Sequence, residues 1–210
     1  MRVTPHITLT MNKQNHHFRL GTITKKETTY REIYWWLRSI PEDYARAAVA
    51  ELAQAHHIDQ HATHAGLIMS WEELRALANN PLVTIGAHTK SHLALGKLNE
   101  REVRAEMAES IARIEVELDR PCRHFSYPYG CAASAGPREF EIAKELGLLT
   151  AVTTQKGLLY PEHAGALTAL PRLSLNGDFQ DIRYVKALLS GVPFAVMNTL
   201  QRLSGYQNPA

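Results

Sequence analysis

Residues 82–98 read LVTIGAHTKSHLALGKL, a β-branched apolar run that stops at two histidines four residues apart, His88 and His92, with Thr89 and Ser91 between them. A short apolar run bounded in this way predicts a buried strand over 82–87. Its neighbours decide what sheet it joins. Upstream, SWEELRALANN has Ser70 and Glu73 in capping-box spacing and is stopped by Pro81. Downstream, Asn99 and Glu102 repeat that spacing before a long helix whose apolar positions are Val103, Met107, Ile111, Ile114 and Leu118. RHFSY reads as a second strand, closed by Pro128. Pro137 starts the helix PREFEIAKELG, Gly147 ends it, and LLTAVTT reads as a buried strand. ALPRLSL is a further strand, and Asp178 with Asp181 opens the helix DFQDIRYVKALLSG. Strands alternating with helices imply right-handed βαβ units, so the expected fold class is α/β with a parallel sheet or barrel.

The first third of the chain has a different pattern. HITLTM and HFRLGTIT alternate apolar and polar positions around MNKQNHH, which predicts a β-hairpin within residues 1–28. YREIYWWLRS and PEDYARAAVAELAQAHH then read as helices, with Pro41 suited to a first helical position. The cluster HHIDQHATH, residues 56–64, holds Asp59 and four histidines, and reads as a solvated helix end and loop.

Composition narrows the function classes. At 210 residues, 45% hydrophobic and 21% charged, the chain fits one globular domain with a sizeable core. Its 23 basic and 21 acidic side chains leave a formal charge of +2, too balanced to favour nucleic acid as a partner. No apolar run approaches the roughly 20 residues of a membrane span, and the opening MRVTPHITLTMNKQ lacks a signal-peptide core. A cytoplasmic protein is the expectation. Cys122 and Cys131 lack a second pair to complete a zinc-ribbon spacing and read as free thiols.

If 82–87 is a parallel strand, His88 lies at its carboxyl end, where parallel α/β folds gather their ligands. His92 follows closely enough for both imidazoles to reach one ion. Two neutral imidazoles suit zinc and other late first-row metals, and Thr89 and Ser91 could orient the rings. The competing reading has one histidine packing or capping the turn and the other in solvent.

A second cluster, FSYPYG, stands at the end of the next strand. With it, the sequence resembles the polysaccharide deacetylase family, metal-dependent carbohydrate esterases that remove N-acetyl groups from chitin-like, peptidoglycan and related glycans. HTKSH matches the family's His-Ser/Thr-x-x-His motif at His88, Thr89 and His92, and FSYPYG matches its Pro-Tyr-Gly motif at Pro128, Tyr129 and Gly130. The resemblance covers roughly residues 70 to 180. It implies a partial or distorted (β/α) barrel, with residues 29–210 as an incomplete deacetylase-like domain behind an N-terminal extension at 1–28. It further implies a divalent cation, most often Zn2+, held by His88 and His92, and a backbone N–H at Tyr129 that stabilises the oxyanion. Tyr127, Pro128 and Arg172 would bind an N-acetylated glycan or oligosaccharide.

The sequence also departs from the family pattern. The family's first motif has adjacent aspartates, a general base and a third metal ligand. Here Asp43, Asp59, Asp119, Asp178 and Asp181 are the only aspartates and no two are adjacent. The segment that supplies that motif reads as lost or replaced by residues 1–28. Ser126 stands where the third motif carries arginine, with Arg123 three residues upstream, and His163 is the one histidine after His124. An incomplete barrel would leave an open sheet edge, which the hairpin patches or self-association covers. Three readings follow: a metal-dependent glycan N-deacetylase of reduced activity, a silent homologue that binds carbohydrate without turnover, and a structural protein whose histidines bind nothing. A serine hydrolase is disfavoured by the lack of a G-x-S-x-G elbow.

Overall fold

The structure, a computed structural model, describes residues 5–175, 177 and 179–204, with the side chains at 64, 198 and 201–204 excepted. The expected helix-opening role of Asp178 lies outside the described residues. The chain falls into two compact units, Met1–Ser70 and Trp71–Ala210.

In the first unit, strands β1 (His6–Met11) and β2 (Gln14–Arg19) pair antiparallel, His6 opposite Arg19 and Met11 opposite Gln14. The turn is only Asn12-Lys13, with φ of 52° and 66°, as a two-residue type I′ turn requires. Asparagine tolerates that region better than most residues, and lysine accepts it here because the strand twist demands it. The second strand therefore ends earlier than the run HFRLGTIT predicts. Ile23 and Thr24 instead begin helix α1 (Ile23–Ser39), where the Thr22 side chain accepts a hydrogen bond from the Lys25 N–H. Helices α2 (Glu42–Ala55) and α3 (Gln60–Ala65) follow. Leu9 and Met11, two apart on one hairpin face, pack with Ala48 and with Phe18, Ile33 and Trp36.

The second unit contains α4 (Trp71–Ala78), α5 (Glu100–Leu118), β3 (His124–Ser126), α6 (Pro137–Glu145), β4 (Thr150–Lys156), β5 (Leu170–Arg172), α7 (Ile182–Leu189) and α8 (Val192–Ser204). The sheet is parallel throughout, in the order β3-β4-β5. This is an α/β fold, and no closed barrel is present among the described residues. Asn99 caps α5 reciprocally: its side chain accepts from the Glu102 N–H and its own N–H donates to the Glu102 carboxylate, each at 3.0 Å. Such a cap contributes about 1 kcal/mol.

The strand expected over 82–87 is reduced to a single parallel bridge, Ala87 to Phe125. Two hydrogen bonds make it: Ala87 N–H to the His124 carbonyl at 2.8 Å, and Ser126 N–H to the Ala87 carbonyl at 2.9 Å. β3 is three residues long, so the ladder has little to extend along. Val83 and Ile85 are nevertheless half-buried between exposed Thr84 and Gly86, which keeps the alternation of an extended chain. Gly86 allows the approach, because a Cβ there would lie 2.8 Å from the His124 carbonyl oxygen. Beneath this crossing sits the core, which includes Ala87, Val103, Met107, Phe125, Tyr127, Ile142 and Ala151.

Candidate metal and glycan site

The Ala87 bridge positions His88 immediately beyond the sheet, beside the end of β3. His88 Nδ1 lies 2.5 Å from the Ser126 carbonyl oxygen. A carbonyl only accepts, so Nδ1 carries the proton and, in the neutral ring, Nε2 keeps its lone pair outward. This is the tautomer a metal-ligating imidazole uses, with its other nitrogen anchored to a backbone oxygen. The His88 and His92 ring centroids are 4.8 Å apart with planes at 73°, and the Tyr129 ring lies 5.0 Å from His92 at 75°. All three side chains thus converge beside the sequence Pro128-Tyr129-Gly130.

The loop between the histidines is held from several sides. The Thr89 hydroxyl accepts from the His92 N–H at 2.9 Å. The Ser91 N–H donates to the Glu106 carboxylate at 2.8 Å, and the Lys90 N–H donates to the Glu106 carbonyl at 3.1 Å. Lys90 also pairs with Glu109 at 2.5 Å, and that hydrogen bond raises the lysine's already high pKa. Thr89, His92 and Tyr129 have φ of 65°, 56° and 61°. Non-glycine residues reach that region at a cost of roughly 1–2 kcal/mol each, and the β-branched Thr89 is the least suited to it. Backbone strain of this kind concentrates at functional sites.

The second motif residue pair behaves unequally. Tyr129 is half-buried, and its carbonyl accepts from the Thr154 hydroxyl at 2.7 Å. Tyr127 is 1% exposed, packs against Phe125 and Phe140, and donates its hydroxyl to the Thr168 carbonyl at 2.8 Å. Burial pushes its phenol far above the ordinary range, with the Glu139 carboxylate adding to the effect. Its ring is therefore core, and the glycan contact expected of it is closed off by burial. Pro128 is also fully buried, so its contribution is the rigidity of the turn rather than contact with a ligand. Arg172, at the end of β5, is exposed and reaches to 3.5 Å from the Ser126 hydroxyl. A guanidinium thus stands beside the residue whose carbonyl orients His88.

Other residues weighed from sequence have structural roles. His163 Nδ1 accepts from the Tyr160 N–H at 3.0 Å, closing a short turn. Asp59 accepts from the Ala62 N–H at 3.0 Å and so starts α3, which accounts for the carboxylate of the histidine-rich segment. Cys122 and Cys131 are not joined in a disulfide. Burial pushes the Cys122 thiol pKa up. Among the described residues, no group of three or more His, Cys, Asp or Glu is placed to hold a metal ion.

A family model described as polysaccharide deacetylase matches residues 2–151. The chain belongs to the polysaccharide deacetylase family. Among solved structures, this deacetylase-family chain is similar to the Streptococcus pyogenes deacetylase PplD in complex with acetate. That likeness has 18% identity and a TM-score of 0.51 over 57% of this chain and 50% of that one. It is also similar to a polysaccharide deacetylase from Bacillus cereus, with 16% identity and a TM-score of 0.50 over 57% of this chain and 36% of that one. The chain spans half or less of the length of these structures. At such identities the likeness shows the fold. No curated relative matches the chain.

Two participants escaped the sequence reading. The Ser126 carbonyl carries no side-chain signal, although the alternation of His124 and Ser126 against Phe125 and Tyr127 marks which face of β3 is open. Glu106 is one of six glutamates on α5, and nothing in the sequence separates it from the others.

Proposed function

We propose that the chain hydrolyses N-acetyl groups of a glycan at the His88, His92 and Tyr129 cluster, and that its parallel strands form part of a distorted (β/α) barrel of the deacetylase type. The observation that carries this reading is the convergence of the two imidazoles, with His88 held in the ligating tautomer by the Ser126 carbonyl. Two neutral ring nitrogens suit zinc, and the donor chemistry fits a divalent ion. His88 and His92 would hold it. When bound, such an ion polarises an acetamide carbonyl and lowers the pKa of a coordinated water.

The chain's own residues supply orientation. The Thr89 hydroxyl bond and the Glu106 clamp keep His92 facing His88. The turn at Pro128 presents the Tyr129 backbone N–H as the donor for a developing oxyanion, and the Tyr129 ring gives a flat face for a sugar. Arg172 offers planar donors to glycan oxygens. Two protein ligands are fewer than the three of a usual catalytic zinc site, so the ion exchanges readily. Among the described residues no carboxylate joins the two imidazoles, and a site without a positioned carboxylate base turns over roughly a hundred- to ten-thousand-fold below a complete one.

The experiment is acetate release from N-acetylglucosamine oligomers, with and without added zinc, by the wild type and by His88→Ala. Zinc-dependent release by the wild type, lost in the variant, is the expected result. Oligomer binding with no release would replace the hydrolase reading with that of a silent glycan-binding homologue.

A further inference from the structure

Helices α7 and α8 leave an apolar stripe in solvent. Ile182 and Leu189 on α7, and Val192, Val196 and Leu200 on α8, are between 53% and 61% exposed. The α8 residues recur every four positions and so share one face. The inward faces are filled separately: Leu188 and Met197 are half-buried and Phe194 is buried. Gly191, with φ of 75°, seats the turn between the helices, since a Cβ there would lie 2.9 Å from Leu158 Cδ1. The outer stripe is thus an additional apolar face on helices whose inner faces are already packed.

Charge indicates what covers it. From Ile182 to Ser204 the sequence contains Arg183, Lys186 and Arg202 and no aspartate or glutamate. Asp181, just before α7, caps that helix and pairs with Arg183 at 2.8 Å. Lys186 lies between Ile182 and Leu189 on the same face, where a long stem can follow the stripe while its ammonium reaches outward. Apart from Asp181 at the start of α7, the charged residues along these helices are bases, and apolar side chains accompanied by bases are the composition of a helix that lies in a lipid interface. An apolar cavity of about 450 Å³ behind the pair is walled by residues that include Leu175, Phe179 and Phe194, and among the described residues its charged lining is Lys156. It repeats the pairing of apolar surface with positive charge. No helix among the described residues is long and apolar enough to cross a membrane.

We infer that α7 and α8 dock the chain on an anionic lipid surface, with the stripe at the acyl boundary and Lys186 supplying attraction to headgroups. This rests on none of the chemistry at His88 and His92, and the two stand or fall separately. The test is co-sedimentation of the 210-residue chain with vesicles of phosphatidylglycerol and phosphatidylcholine, against vesicles of phosphatidylcholine alone. Binding to the anionic vesicles is expected to exceed binding to the neutral ones. A Lys186→Gln variant is expected to lose about fivefold on the anionic vesicles. A Val196→Asp, Leu200→Asp variant is expected to lose binding to both while keeping the wild-type far-ultraviolet circular dichroism and Tm. Absence of binding to anionic vesicles, or equal binding to both kinds, overturns the inference. So does a result in which the aspartate variant only dissociates a dimer, which would assign the stripe to a second copy of the chain.

Discussion

Replacing Gly130 by alanine perturbs the turn that carries Tyr129 to the histidines, and its cost separates into two parts. Gly130 has φ of 60°, and a Cβ there would meet the Thr154 backbone nitrogen at 2.6 Å and the Thr153 carbonyl carbon at 3.1 Å. Gly147, which follows α6, has φ of 77° and nothing within 4 Å of its Cβ position. Gly147→Ala therefore bears only the left-handed strain, about 1 kcal/mol. Gly130→Ala bears that strain and a clash with β4 backbone, which cannot swing aside as the end of a side chain can. Overpacking of this kind adds about 1–3 kcal/mol. With an m-value of about 2 kcal/mol/M, Gly130→Ala should unfold in urea at a midpoint about 1 M below that of Gly147→Ala. Circular dichroism of the two variants under identical conditions makes the comparison. Coincident midpoints would refute the close approach of this turn to β4.

The remaining predictions concern buried groups of the same unit. Tyr127→Phe removes the hydroxyl that donates to the Thr168 carbonyl, and should cost about 1 kcal/mol at neutral pH. Because burial raises the folded-state pKa of this phenol, the wild type keeps its full stability below the unfolded value of about 10 and loses it as the pH rises further. The gap between wild type and variant should therefore narrow in alkaline urea titrations, and a gap that stayed constant up to the highest pH would contradict the buried phenol. Cys122 is buried and its thiol pKa is pushed up by that burial, whereas Cys131 is half-buried. Iodoacetamide followed by peptide mass analysis should modify Cys131 first in the folded protein. Equal rates at the two thiols would rule out the burial assigned to Cys122.

Local signals carried much of the fold. The Asn99 and Glu102 spacing marks a cap whose two bonds are both present, and Pro137 and Gly147 bracket α6 because one fixes φ and the other accepts a positive φ. LLTAVTT overlaps β4 because a continuous apolar run suits a strand with neighbours on both sides, as β4 has. What depended on partners was harder to read. LVTIGA has the composition of a strand, but ladder length depends on β3, which is short. An aromatic beside proline looks the same whether its ring faces core or solvent, and only the period-two relation of Tyr127 to Phe125 indicates that both lie on the packed face of β3. The positive φ of Thr89 leaves no mark in the sequence, and it goes with the bonds that the Ser91 N–H donates to Glu106 and the His92 N–H donates to the Thr89 hydroxyl.

At the candidate site, the pairing of His88 with His92 and the nearness of the Pro-Tyr-Gly turn followed from strand order, because parallel strands place their carboxyl ends together. The tautomer did not, since it depends on a backbone carbonyl across the sheet. The most direct test of the account is calorimetric titration of the metal-free chain with zinc, for the wild type and for His88→Ala and His92→Ala separately. One equivalent bound by the wild type, with affinity lost in both variants, is the predicted result. A wild type that binds no zinc, or variants that bind it as the wild type does, would contradict a shared cation between the two imidazoles.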